Sequence, residues 1–143
     1  VDKSGTVYVS DMQANTIYAI KNDVPSIYVM AAERPNGVLA VNNGLLILDS
    51  GALYKVGSDK KLVKLAEGMD KSTDGVEEVK PGEYVVSCWA GVLYYVKENG
   101  EVKQLLDTRE SGYNAADIGY DAKKKIVYIP TFMKNSVVAY QLK

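Results

Sequence analysis

Short apolar runs broken by polar turns recur along the whole chain, and each run is followed by another of similar length on the far side of a turn. The cleanest copy of the unit is Arg34 to Val56, RPNGVLAVNNGLLILDSGALYKV. It opens on Pro35-Asn36-Gly37, runs through Val38 to Val41, and turns at Asn43-Gly44, a dipeptide suited to the positive φ of a type I′ hairpin. It continues through Leu45 to Leu48 and returns in Ala52 to Val56. A fourth run, Leu62 to Ala66, follows a polar turn at Asp59, so the unit predicts a meander of four short antiparallel strands.

Three further copies can be laid beside it. The first gives strands at Gly5 to Asp11, Thr16 to Ile20 and Ser26 to Met30. The third gives Gly75 to Val79, Tyr84 to Cys88, Val92 to Val96 and Val102 to Leu106, with Pro81-Gly82 predicting a type II turn. The fourth gives Asp117 to Tyr120, Ile126 to Pro130 and Val137 to Leu142. Aligned on the third strand, Tyr18, Tyr54, Tyr94 and Val138 are equivalent, at separations of 36, 40 and 44 residues. A four-stranded unit of that period predicts the blade of a β-propeller, with the recurring Tyr and Val positions packing between blades. A β-sandwich is the rival, but it gives no reason for turns and apolar runs to recur with one period.

The predicted fold is therefore an all-β propeller portion over residues 1–143, with blade repeats at 1–33 (partial), 34–70, 71–112 and 113–143 (partial). Three, four, four and three strands make about three and a half blades, fewer than a closed ring of four to eight whole blades needs. Val1 to Gly5 aligns with Tyr120 to Lys124, the end of a first strand and its turn, so the chain is expected to begin inside a blade. It would then be part of a larger propeller, assemble as two copies, or take its missing blades from the same or another chain.

Composition narrows the chemistry. A net charge of −1 offers no basic surplus for nucleic acid or an anionic membrane, and no apolar run is long enough to cross a bilayer. Cys88 is the single cysteine and reads as a small buried hydrophobe. Histidine is absent, which removes Ser-His-Asp and Cys-His arrangements and His-ligated zinc. No phosphate-cradling glycine motif occurs. Catalysis would have to run on carboxylates, tyrosines, lysines or an oxygen-ligated metal.

In each complete copy a polar residue precedes the glycine that starts the first strand: Asn36 before Gly37, and Asp74 before Gly75. In an antiparallel blade that end also carries the loop between the second and third strands. One face should therefore gather Asp11, Asp49, Trp89 and Phe132 around Asn36 and Asp74, with oxygen ligands near the axis that suit hard cations and aromatic surfaces farther out. The fourth copy has Ala115 at the like position, with Asn114 and Asp117 beside it. The alternative is that Asn36 and Asp74 are only turn formers and that Trp89 is packing material. The clusters at Lys123 to Lys125 and Asp59 to Lys61 read as solvated turns.

The phrases Arg34 to Gly37, Ser72 to Gly75, Ser87 to Gly91 and Asn114 to Asp121 resemble the six-bladed propellers of the regucalcin and gluconolactonase-like family, in particular its exported bacterial members. The resemblance covers the whole chain as the C-terminal part of such a propeller. It implies a divalent metal (calcium, or magnesium, manganese or zinc) at one mouth of the channel, with Asn36 as a ligand and Asp74 as both ligand and catalytic base. It also implies a sugar lactone or similar substrate and a periplasmic or secreted location. The remaining ligands, a Glu and an Asn, would lie upstream of Val1. Two function classes follow: a metal-dependent lactone hydrolase, and a non-enzymatic propeller that presents one face to a ligand or protein partner. Uncovered blade flanks predict that the isolated chain associates with itself or with a further propeller segment. Light scattering checks this; a stable monomer with a cooperative melt would contradict it.

Overall fold

The computed structural model of the chain describes residues 1–30 and 32–143. Four antiparallel sheets follow one another along the sequence. Sheet one holds β1 (Val7–Asp11), β2 (Thr16–Lys21) and β3 (Val24–Val29). Sheet two holds β4 (Pro35–Val41), β5 (Gly44–Asp49), β6 (Ala52–Val56) and β7 (Leu62–Glu67). Sheet three holds β8 (Thr73–Lys80), β9 (Glu83–Cys88), β10 (Val92–Lys97) and β11 (Val102–Asp107). Sheet four holds β12 (Gly119–Asp121), β13 (Ile126–Pro130) and β14 (Val137–Gln141). A short 3₁₀ turn at Phe132–Lys134, which the strand pattern does not foreshadow, precedes β14. Among the described residues no helix is long and apolar enough to cross a membrane.

Every sheet is a meander in sequence order, and the sheets stack face on face as the blades of a propeller. The stacking explains why β5 and β9 read as unbroken apolar runs. Leu45 and Ile47 point to blade one, while Leu46 and Leu48 point to blade three. Likewise Tyr84, Val86 and Cys88 of β9 face blade two and Val85 faces blade four. A strand buried on both faces has no polar side to show, so alternation disappears. Outward faces of the two end blades carry Val9 and Ile27 on one side and Tyr128 and Val137 on the other, all exposed.

The period found in the sequence has a structural marker. Pairing of β2 with β3, of β6 with β7 and of β10 with β11 slips by one residue, between Ile17 and Tyr18, between Leu53 and Tyr54, and between Leu93 and Tyr94. The three aligned tyrosines thus each sit beside a β-bulge, which adds twist to the outer strands of blades one, two and three.

Turn chemistry divides. Pro81-Gly82 joins Lys80 to Glu83 with Gly82 at φ 76°, as the type II expectation requires. The expected type I′ turn at Asn43-Gly44 is not formed: Val41 pairs with Gly44, so the loop is Asn42-Asn43, and neither asparagine has positive φ. Type I′ geometry instead fits Asn22-Asp23, both at positive φ between the paired Lys21 and Val24.

The innermost strands β4, β8 and β12 lie against one another in turn, and glycine sets how closely. A Cβ on Gly75 would lie 2.5 Å from Asp117 Oδ1 and 2.7 Å from the Ile118 amide nitrogen. One on Gly37 would overlap the Asp74 carbonyl oxygen. By contrast, a Cβ on Gly119 meets nothing within 4 Å. Gly75→Ala should therefore cost roughly 1–3 kcal/mol or more by overpacking against backbone, while Gly119→Ala should change stability little. Urea denaturation of the two variants measures the difference.

Candidate functional site

Asn36 and Asp74 occupy matching kinks. Pairing of β4 with β5 slips between Pro35 and Val38, and pairing of β8 with β9 slips between Thr73 and Val76. Each slip leaves one extra residue on the innermost strand, and bulges of this kind re-aim side chains. Both strands consequently start earlier than the polar-Gly pattern suggests, at Pro35 and Thr73, with the polar residue inside the bulge. The two side chains meet: Asn36 Nδ2 donates to Asp74 Oδ1 at 3.0 Å.

The neighbourhood holds Asp74 in tension. Burial raises the pKa of its carboxyl above the usual value, and the nearby Asp117 carboxylate raises it further, while the Asn36 hydrogen bond pulls the other way. Burial, with Asp117 again, also raises Glu77 on the same strand. Asp117 itself lies just outside β12, where its Oδ1 accepts the Ile118 amide at 3.1 Å. Ser87 ties this centre together. Fully buried, it accepts the Gly75 amide at 2.9 Å and donates to the Ala116 carbonyl at 2.8 Å, linking blades three and four.

A cavity of about 270 Å³ opens beside the pair, lined by Met12, Arg34, Asn36, Asp74 and Trp89, with Lys71 to Thr73 completing the wall. Its residues come from the loop after β1, the entries to β4 and β8, and the loop after β9. Trp89 is 40% exposed, and its ring meets Phe132 edge to face at 5.8 Å between centroids. The Trp89 loop is fixed by its backbone: its amide donates to the Ser72 carbonyl at 2.8 Å, and its carbonyl accepts Asn114 Nδ2 at 3.0 Å.

The other sequence candidates are placed as follows. Asp49 is buried, and its two carboxylate oxygens accept the Glu33 and Arg34 amides, each at 2.7 Å. Each Asp49 oxygen thus already holds a backbone amide of the crossover into β4. Asp11 Oδ1 closes the β1–β2 turn, accepting the Gln13 and Ala14 amides at 3.0 and 2.9 Å, and its neighbour Met12 faces the cavity instead. Asn114 lines a separate cavity with Tyr113 and Thr131. Cys88 is buried, and burial pushes its thiol up to about 12, in keeping with an inert core position.

Arg34, Lys71 and Met12 are cavity residues that sequence reasoning missed as site residues. Arg34 Nη2 donates to Met12 Sδ at 3.4 Å across the blade one to blade two boundary. Asn36 and Asp74 offer three side-chain oxygens to a cation, one of them already accepting the Asn36 amide, well short of the six to eight that calcium takes. Among the described residues no group of three or more His, Cys, Asp or Glu side chains could hold a metal ion. Arg34 and Lys71 further add positive charge to the same cavity, so the described residues alone do not fit a resident divalent ion.

No family model and no curated protein matches the chain. Solved structures do. An auxiliary nutrient binding protein from Bacteroides thetaiotaomicron VPI-5482 superposes with a TM-score of 0.75 at 14% identity, over 96% of this chain and 36% of that one. An auxiliary nutrient binding protein from Bacteroides ovatus ATCC 8483 gives 0.66 at 12% identity, over 97% of this chain and 46% of that one. The extracellular domain of a one-component system from B. thetaiotaomicron gives 0.65 at 18% identity, over 91% of this chain and 18% of that one. The chain thus spans about a third of the length of the first of these structures. At such identities the likeness carries the fold, a β-propeller of about three and a half blades, and nothing specific to the regucalcin family.

Because the folded state raises the Asp74 pKa, it favours the protonated acid. The stability Asp74 contributes is present below its unfolded pKa of about 4 and is lost as pH rises through the folded value. Asp74→Asn, which keeps an acceptor for Asn36, should therefore raise the melting temperature near pH 7 relative to the parent, and the gain should vanish near pH 3. Thermal melts of both proteins across pH check this; an equal gain at both pH values would contradict it.

Proposed function

We propose that the chain is the ligand-binding portion of a non-enzymatic β-propeller that takes up a small nutrient, of carbohydrate type, at the Asn36–Asp74 cavity. The observation that carries the reading is the cavity itself, where a hydrogen-bonded amide–carboxylate pair lies beside a half-open tryptophan. Small-molecule sites combine an apolar wall with a few convergent polar groups, and here Trp89 supplies the wall and Asn36 and Asp74 the orienting groups. At about 270 Å³ the cavity is below the ~300–1,000 Å³ of drug-sized pockets and matches a ligand of about one ring. The nutrient-binding names of two structural neighbours, and the extracellular setting of a third, agree with such a role and with a secreted or periplasmic location.

A second reading is favoured by the raised pKa of Asp74 and its contact with Asn36: a lactone hydrolase in which Asp74 accepts a proton from the attacking water.

Calorimetric titration with calcium, together with a lactone hydrolysis assay, separates the two. The binding reading expects neither a cation isotherm nor hydrolysis, but melting-temperature shifts with members of a neutral and acidic saccharide panel that Trp89→Ala removes. Hydrolysis abolished by Asp74→Asn would establish the enzyme instead. A panel giving no Trp89-dependent shift would overturn the binding reading.

A further inference from the structure

Resting on the ligand-pocket reading, we infer that the pocket selects an anionic sugar, a hexuronate, with its ring on Trp89, its hydroxyls on Asp74 and Asn36, and its carboxylate between Arg34 and Lys71. Three features of the cavity point the same way. Its charged lining is two cations, Arg34 and Lys71, against one carboxylate, and that carboxylate is the group whose charge is disfavoured by burial and by Asp117. A neutral sugar would leave both cations without a counterpart, and a divalent cation would be repelled by them. Both cations are free to bind, for neither forms an ion pair among the described residues. The Arg34 guanidinium donates to Met12 Sδ, and both residues line the cavity.

The second feature is the acceptor set. Asn36 occupies one oxygen of Asp74, Oδ1, which leaves Oδ2 to accept a hydroxyl proton; the Asn36 amide oxygen is a second acceptor. Acceptors paired with cations match a ligand rich in hydroxyls that carries one acid group. The third is the platform. Phe132 buttresses the Trp89 ring edge-on, and the loop is pinned by the Ser72 carbonyl and Asn114, so the ring presents a fixed apolar face of the kind that covers one side of a pyranose.

Calorimetric titration of the full chain with galacturonate and with its methyl ester tests the assignment, because the ester keeps ring and hydroxyls but loses the charge. The acid should bind roughly tenfold or more tightly than the ester, with an advantage that shrinks as salt is raised. Arg34→Gln and Lys71→Gln, both on exposed side chains, should erase that advantage and leave the melting temperature intact, whereas Lys123→Gln on a distant hairpin should not. Equal binding of acid and ester overturns the hexuronate assignment while leaving a sugar pocket in place. Absence of binding by either overturns the assignment too, and the ligand-pocket reading then falls only if the saccharide panel also shows no Trp89-dependent shift.

Discussion

The structure depends on how closely the innermost strands of successive blades approach. Gly37 lies against the Asp74 carbonyl and Gly75 against Asp117 and Ile118, at separations no side chain would permit. With those contacts made, the blade faces close over continuous apolar layers: Leu46, Leu48, Val86 and Val92 between blades two and three, and Val85, Leu93, Val127 and Ile129 between blades three and four. The Ser87 hydroxyl, satisfied on both sides by neighbouring backbone, locks the second of these approaches without leaving a buried polar atom unpaired. The same approach makes the site. A bulge ahead of each glycine turns Asn36 and Asp74 toward each other, so the pair is a by-product of the stacking geometry.

Electrostatics decide what such a site can hold. Oxygen atoms alone would invite a hard cation, and the sequence shows only the oxygen atoms in register. Arg34 and Lys71 change the balance, since they line the same cavity as Asp74. An unpaired carboxylate, partly withdrawn from water and next to a second carboxylate, is costly to keep charged, and the melting behaviour of the protein with pH should carry that cost.

Much of the architecture was legible because it is written in local patterns. Strands buried on both faces read as apolar runs, Pro81-Gly82 announced its turn, and the tyrosines that fixed the period mark a recurring bulge. Legibility ended where tertiary structure chose between local options. Asn43-Gly44 looked like the hairpin dipeptide, yet the register closes one residue earlier, on Asn42-Asn43. Asp49 was read as a mouth residue, and the structure adds what no spacing could show: its two oxygens hold the Glu33 and Arg34 amides. Met12, Arg34, Lys71 and Trp89 are scattered over three blades, so no spacing rule could have gathered them into one cavity.

Trp89 is the only tryptophan in the chain, so its emission reports on this cavity alone. A fluorescence titration with neutral and acidic saccharides is therefore the most direct measurement of whether the stacking of blades two and three builds a ligand site. The account predicts a saturable change in emission for at least one sugar, with a midpoint that moves in Asp74→Asn. Emission unchanged across the series, with binding of the same sugars detected calorimetrically, would place their site elsewhere and contradict it.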